Sequence, residues 1–191
     1  MHIFINMKKE IFEKIKIPKG VEVNLEGSTI TIKGNEGENK RTFKTSNLVF
    51  EKKDDEIIVG CKKATKKEKK MIRTTKAHIE NMIKGVGEKY EYKLKICFSH
   101  FPMTVDIQDN KATIKNFLGE KIPRRLKFPK GAEVKVEGSI ITINSVDKEI
   151  AGQAAANFEA ATKIRKKDRR VFQDGIFIIN KAGKNIWKSN F

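Results

Sequence analysis

An internal repeat constrains the fold of this chain more than any other feature of its sequence. Residues 15–32 read IKIPKGVEVNLEGSTITI and residues 126–143 read LKFPKGAEVKVEGSIITI, with identical residues at 12 of 18 positions. In each copy, apolar and polar residues alternate on both sides of a Glu-Gly-Ser sequence, which is typical of two strands with one buried face joined by a tight turn. Each copy is therefore predicted to be a β-hairpin, and the duplication indicates two related structural units.

A second, looser register relates longer stretches of the chain at a spacing of roughly 82–84 residues. It aligns TIK at 31–33 with TIK at 113–115, Gly37-Glu38 with Gly119-Glu120, Arg41 with the neighbourhood of Arg124, and Ile57–Val59 with Ile141–Ile143. Predicted helical segments near 64–84 and 148–166 also coincide. Because whole units of several strands and one helix align, we predict that this spacing separates the domains. The two similar hairpins would then lie at different places in sister domains.

Both predicted helices have an apolar face at helical spacing. The first, which Gly85 is expected to end, has a face formed by Met71, Ile72, Thr75, Ile79, Met82 and Ile83. The second follows a predicted N-cap at Asp147 and has a stripe of mostly small residues, namely Ala151, Ala154, Ala155, Phe158, Ala161 and Ile164. Small residues let a helix lie close against a sheet. The sequence therefore predicts an α+β fold with two tandem, similar domains.

The charge of the chain indicates a polyanionic partner. Its 191 residues include 41 Lys+Arg and 24 Asp+Glu, for a net charge of +17. Basic residues concentrate in three runs, at 62–76, 121–130 and 163–170, which together contain only two acids, Glu68 and Asp168. Nucleic acid neutralises such a surface through its phosphates. A membrane is not expected, because no apolar run approaches the ~20 residues that span a bilayer.

Little in the sequence favours an enzyme, a metal site or a cofactor. His2, His78 and His100 lack the spacing of a metal site, and no phosphate-binding glycine loop is present. Cys61 and Cys97 lack CxxC spacing, which argues against a zinc site and is consistent with a reducing, intracellular compartment. A Cys97–His100 nucleophile pair remains an alternative that would require a thiol with a shifted pKa. Cys97 is instead expected to be buried in the core.

Several motifs resemble a known family. HIENMIKGV at 78–86, SHFP at 99–102, NFLGEK at 116–121 and R-x-F-x-D-G-I-F at 170–177 occur in one order, and the PKGVEVNLEG hairpin extends the match towards the N-terminus. With these motifs the chain resembles the universal L-six family of large-subunit ribosomal proteins, in its eukaryotic form, which eukaryotic nomenclature calls L-nine.

The resemblance implies a fold and a function. It implies two tandem copies of one α+β domain, each an antiparallel sheet packed by one helix, which we place at 1–86 and, with a basic tail, at 87–191. The second domain is expected to bind most of the rRNA, near the sarcin–ricin loop where translation factors dock. The protein would act in translation and subunit assembly, in the cytoplasm, after nucleolar assembly if eukaryotic. Expected partners are large-subunit rRNA and neighbouring ribosomal proteins, without a membrane or a homo-oligomer.

The predicted rRNA-binding residues come from the basic runs and the SHFP motif. They are His100, Lys121, Arg124, Arg125, Lys127, Lys163, Arg165, Lys166, Lys167, Arg169 and Arg170. A secondary basic cluster comprises Lys62, Lys63, Lys66, Lys67, Lys69 and Lys70. Phe101 is expected in the core, Pro102 at a strand start, and Asp174-Gly175 in a turn. A free-standing nucleic-acid regulator is a further alternative, but it would need a helix-turn-helix or an aromatic RNA-binding sheet motif, and the sequence has neither.

Overall fold

The structure, a computed structural model, describes residues 9–43, 48–53, 55–168 and 170–186. The chain divides between Glu88 and Lys89 into two compact units. The first unit contains β1 (Lys9–Lys16), β2 (Glu22–Glu26), β3 (Thr29–Gly34), β4 (Gly37–Thr42), β5 (Val49–Lys53), β6 (Glu56–Ala64) and α1 (Lys66–Gly87). The second contains β7 (Tyr90–Cys97), β8 (Thr104–Gln108), β9 (Lys111–Lys115), β10 (Arg124–Lys127), β11 (Glu133–Glu137), β12 (Ile140–Ser145), α2 (Lys148–Ala161), β13 (Gly175–Lys181) and β14 (Lys184–Asn185).

The two units share one strand order. The first has a sheet ordered β1-β6-β5 and a sheet ordered β2-β3-β4, with antiparallel pairing throughout. The second has the equivalent order β7-β12-β11 and β8-β9-β10, and it extends the larger sheet beyond β7 by β13 and β14. The predicted α+β fold with two similar halves is confirmed.

The strand order also shows which of the two sequence registers relates the domains. The hairpin within 15–32 forms β2 and β3 in a small sheet, whereas the hairpin within 126–143 forms β11 and β12 in the larger sheet of the other unit. The units therefore correspond at the spacing of roughly 82–84 residues, and the closest sequence match joins hairpins at different places in the fold. Each hairpin turns at a glycine with positive φ, Gly27 at 61° and Gly138 at 59°, a conformation that side chains disfavour.

One correspondence differs from the prediction. Ile32 pairs with Asn39 between β3 and β4, whereas the equivalent Ile114 pairs with Arg124 between β9 and β10. Asn39, rather than Arg41, therefore takes the place of Arg124. The reason is a longer connection in the second unit, which carries the NFLGEK sequence between its strands.

The first helix starts as its sequence dictates but extends further than predicted. Thr65 and Glu68 form a reciprocal capping box at the N-terminus of α1. The helix continues through Gly85 to Gly87, because Val86 is fully buried and its carbonyl accepts the Glu36 N–H at 3.1 Å. The face predicted from the sequence is otherwise buried, except that Met71 is 38% exposed.

The second helix is shorter than predicted. Asp147 caps it as expected by accepting the Glu149 N–H at 2.8 Å, but α2 ends at Ala161 instead of near 166. The buried Thr162 hydroxyl accepts the Ile176 N–H at 2.9 Å and ties the helix end to β13. The small-residue stripe is fully buried over its first four members, Ala151, Ala154, Ala155 and Phe158. Across the described residues, neither helix is long and apolar enough to cross a membrane.

Candidate nucleic-acid interface

A segment rich in exposed cations follows α2. We define the basic segment as residues 163–168 together with Arg170; all five of its cations, Lys163, Arg165, Lys166, Lys167 and Arg170, are exposed. Lys166 has a φ of 58°, in the left-handed region. These cations therefore project from an irregular loop and not from the helix end that the sequence suggested. The predicted site residue Arg169 lies outside the described residues.

Part of this segment borders a cavity of about 380 Å³. Four cations, Arg124, Lys163, Arg165 and Lys167, line this cationic cavity together with one acid, Glu120. The hydrogen bonds from Arg124 lower the pKa of Glu120 more than burial raises it. The excess of positive charge makes the cavity suitable for an anion such as phosphate.

Arg124 is held by contacts within the protein. Its guanidinium binds both carboxylate oxygens of Glu120, at 2.7 and 2.5 Å, and donates to the Ala161 carbonyl at 2.8 Å. The same group lies 4.2 Å from the ring centroid of Phe117. A cation bonded to the last carbonyl of α2 also complements the negative end of the helix dipole. These contacts favour a structural role for Arg124, in which it fixes the loop that carries Glu120 against the helix end.

The NFLGEK sequence forms a strained turn between β9 and β10. Asn116, Leu118 and Gly119 have φ values of 59°, 51° and 74°, and the side chain between them, Phe117, is 1% exposed. The buried ring anchors the turn. The Asn116 side chain donates to the Pro102 carbonyl at 2.9 Å and so ties the turn to the SHFP sequence.

Two expectations for the SHFP sequence are wrong. Phe101 is 48% exposed and not in the core, because it lies over Gly119 at the surface; a Cβ on that glycine would be 3.3 Å from the Phe101 ring. Pro102 precedes the strand by two positions, since β8 begins at Thr104. The SHFP sequence is therefore a surface loop packed against the NFLGEK turn.

A buried carboxylate organises the other side of this loop. Asp174 is 2% exposed, and its Oδ1 accepts the backbone N–H of Ser99 at 2.7 Å and of His100 at 3.1 Å. Its Oδ2 accepts from Nδ1 of the His100 ring at 2.6 Å. Burial alone would raise the pKa of Asp174, but the hydrogen bonds from His100 and Ser99 outweigh it and lower the pKa from 3.8 to about 2. Asp174 therefore stays ionised and holds the loop.

The His100 ring connects this loop to the basic segment. It stacks on Phe172, with ring centroids 4.8 Å apart and an interplanar angle of 19°. The Lys167 ammonium lies 4.5 Å from the centroid of the same Phe172 ring, a cation–π contact. His100 is thus joined to one of the predicted phosphate-binding lysines through a single aromatic ring.

The alternative of a Cys97–His100 nucleophile lacks an activated thiol. Burial raises the pKa of the Cys97 thiol more than Lys95 lowers it, whereas a reactive cysteine needs a lowered pKa.

Beside the loop lies a larger groove of about 1050 Å³. Its apolar lining includes the exposed Phe98 and Val171 together with the partly buried Phe172 and Phe177, and its cations are Lys163 and Arg170. We refer to these six residues as the aromatic groove.

The contacts bring three sequence motifs to one surface of the second unit. SHFP meets NFLGEK through Asn116 and Pro102, and it meets the R-x-F-x-D-G sequence through His100 and Asp174. Sequence reasoning missed the part played by Asp174. The available signal was an acid preceding an apolar strand within a motif, which is equally typical of an ordinary turn.

Comparison with known proteins identifies the family. The family model described as ribosomal protein L6 matches residues 17–89 and 101–175, which is most of the chain. The chain belongs to the ribosomal protein L6 family. The large ribosomal subunit protein uL6 of Methanobrevibacter smithii is 47% identical over 171 residues, which cover 90% of this chain and 96% of that relative.

These findings confirm the predicted L6 family. Because a ribosomal protein of this family is a structural component, the prediction that the chain is not an enzyme is also confirmed. The assignment to the eukaryotic form stays a prediction, since this relative is archaeal.

The remaining predicted site residues of the L6-family chain lie in separate places. Lys121 is exposed after the NFLGEK turn, and Arg125 and Lys127 are exposed on β10, on the side opposite Arg124 and Leu126. The secondary cluster lies in the first unit: Lys62 and Lys63 on β6, and Lys66, Lys67, Lys69 and Lys70 in the first turns of α1, all exposed.

We expect Asp174→Asn to destabilise the fold in a pH-dependent way. Because folding lowers the pKa of Asp174 from 3.8 to about 2, its charge stabilises the fold above pH 4, and this stabilisation disappears as the pH falls from about 4 to about 2. The shift corresponds to about 2 kcal/mol of unfolding free energy. Urea unfolding across this pH range tests it, with Asp106→Asn as the control, because Asp106 pairs with Lys115 in solvent. An equal destabilisation at pH 2 and pH 7 would contradict the assignment.

We expect replacement of Arg124 to destabilise the fold and replacement of its neighbour Arg125 to leave the stability nearly unchanged. Arg124→Gln removes the bonds to Glu120 and the Ala161 carbonyl and should lower the free energy of unfolding by about 1–2 kcal/mol. The exposed Arg125→Gln should change it by less than about 0.5 kcal/mol. Thermal or urea unfolding of both variants measures the difference. Equal destabilisation would show that Arg124 is not a structural residue.

Proposed function

We propose that this L6-family protein is a structural constituent of the large ribosomal subunit that binds rRNA mainly through one end of its second unit. The observation that carries the proposal is the convergence of three motif loops beside the basic segment and the cationic cavity. Exposed cations of a loop can approach phosphates closely, and each contact releases counterions from the RNA. Asp174 and Thr162, on either side of that loop, fix the chain to the rest of the unit through hydrogen bonds.

The proposed contacts divide into two kinds. Lys163, Arg165, Lys166, Lys167 and Arg170, with Arg169 and Lys121, bind phosphates, whereas Arg124 and His100 hold the loops that present them. Arg125 and Lys127 extend the contact along β10. Phosphate binding positions a protein without specifying sequence, which suits a constituent that fits folded RNA by shape.

The secondary cluster provides a further proposed contact in the first unit. Lys66, Lys67, Lys69 and Lys70 surround the N-terminus of α1, the positive end of the helix dipole, where added cations are electrostatically unfavourable. An RNA phosphate would relieve this repulsion. Binding by this cluster is proposed to be weaker, because residues 87–191 contain two of the three basic runs.

The proposed roles of the two domains and their position in the ribosome follow from the family resemblance. We propose that residues 1–86 and 87–191 act as N-terminal and rRNA-binding domains, and that the second lies near the sarcin–ricin loop, with translation factors nearby and ribosomal proteins as neighbours. The protein would function in translation and subunit assembly in the cytoplasm, as a single copy and without a cofactor. If the chain is of the eukaryotic form, its assembly into the subunit takes place in the nucleolus.

The salt dependence of RNA binding tests the phosphate contacts. Replacing Arg165, Lys166, Lys167 and Arg170 by Gln should weaken binding to large-subunit rRNA. It should also flatten the plot of log affinity against log salt by about 0.7–0.9 for each phosphate interaction that the substitutions remove. Filter binding at several salt concentrations measures both. The control replaces four exposed lysines elsewhere in the second unit, Lys95, Lys111, Lys135 and Lys181, with the same change in net charge. Equal slopes for the two variants would mean that only total charge matters.

The location of the protein in cells provides a separate test. Because the surface carries a net charge of +17, a constituent bound through it should have little free pool. Sucrose-gradient sedimentation of a native lysate should place the protein almost wholly with large subunits and intact ribosomes. A mostly free population at physiological salt would refute the proposed function.

A further inference from the structure

We propose that the aromatic groove binds one unpaired nucleobase of the RNA, an inference that rests on the proposed function and specifies its ligand. The groove combines aromatic rings on its apolar side with the cations Lys163 and Arg170. A nucleotide outside a helix presents a matching pair of features, a flat base and a phosphate. Stacking on aromatic side chains is how proteins hold unpaired RNA bases.

The exposed apolar side chains that line the groove support the proposal that it binds a ligand. Phe98 is 49% exposed and Val171 is 60% exposed, although both are large and apolar. Single exposed apolar residues are common, but these two line the same groove and have cations at its edge. Apolar surface rimmed by charge marks a binding site more often than chance exposure does.

The backbone beside Phe98 and the ring of Phe177 are held in place before any ligand arrives. Asp174 binds the backbone N–H groups of Ser99 and His100, which immediately follow Phe98. Phe177 lies against Gly175, where a Cβ would be only 3.0 Å from the ring, so the glycine leaves room for the ring. Fixing these parts of the groove in advance lowers the entropic cost of binding.

The charge of the groove favours a nucleotide over a protein side chain. Lys163 and Arg170 face one exposed acid, Glu159, while the other lining acid, Asp174, is buried and bonded to His100. Lys167 adds positive charge next to the groove through its contact with Phe172. Stacking is tolerant of base identity, so the groove is expected to recognise the absence of pairing and not a particular base.

A set of three RNA hairpins tests the proposal with the full-length protein. The first carries a single bulged adenosine, the second an abasic residue at the same position, and the third is fully paired. The abasic hairpin keeps the phosphates and the flexibility of the bulge and lacks only the base. Fluorescence anisotropy should show that the bulged hairpin binds at least about fivefold more tightly than the abasic one, the effect of stacking one base on an aromatic ring.

Two phenylalanine variants locate the effect. Phe98→Ala should abolish the preference for the bulged hairpin and leave the salt slope unchanged. Phe12→Ala should keep the preference, because Phe12 is similarly exposed, at 42%, and belongs to the first unit. Thermal unfolding of both variants verifies that they fold.

Each failure has a distinct meaning. Equal binding of the bulged and abasic hairpins with a normal salt slope would refute the base site and leave the proposed function intact. A preference that survives Phe98→Ala would also refute it. If Phe98→Ala instead released a neighbouring protein from large subunits, without any base preference in the wild type, the groove would be a protein contact. Failure of the wild type to bind any RNA would overturn both proposals.

Discussion

The ionised carboxylate of Asp174 is the constraint on which the candidate interface depends. It is 2% exposed and joins the loop after β7 to the start of β13 through bonds to Ser99 and His100. A buried carboxylate is stable only when such donors compensate its lost hydration. Ser99 and His100 supply these donors, which lower the pKa of Asp174. Asp174 bonds the two residues that follow Phe98, and the His100 ring connects it through Phe172 to Lys167.

The duplicated fold explains how the second unit came to carry this surface. In both units a residue in or directly after the connection between the second and third strands of the small sheet donates to a carbonyl near the end of the helix. The first unit uses the backbone N–H of Glu36 on the Val86 carbonyl, and the second uses the Arg124 side chain on the Ala161 carbonyl. The second unit has the longer connection, which carries the NFLGEK sequence. The insertion lines the cationic cavity through Leu118 and Glu120, and β13 lines the aromatic groove through Ile176 and Phe177.

The sequence predicted those features that depend on neighbouring residues. The alternating hairpins, the Asp147 N-cap and the small-residue face of α2 are local patterns, and all three appear in the structure. What could not be predicted depends on distant partners. Asp174 bonds Ser99, 75 positions away, and the same carboxylate in a solvated turn would have an identical local sequence. The early end of α2 depends on the bond from Ile176 to Thr162, which only the folded chain provides.

Unfavourable backbone conformations also concentrate at the surface that we propose to bind RNA. Five described residues other than glycine have a positive φ, and three of them, Asn116, Leu118 and Lys166, belong to the NFLGEK turn or the basic segment. Each costs on the order of 1 kcal/mol or more in the folded chain. Exposed aromatic rings and like charges add to that cost in the same place. Unfavourable local conformations and exposed apolar groups tend to occur at functional sites. Bound RNA would offset the charge repulsion and cover the aromatic rings. The features that weaken this end of the second unit in isolation are therefore the ones that the proposed binding of RNA would compensate.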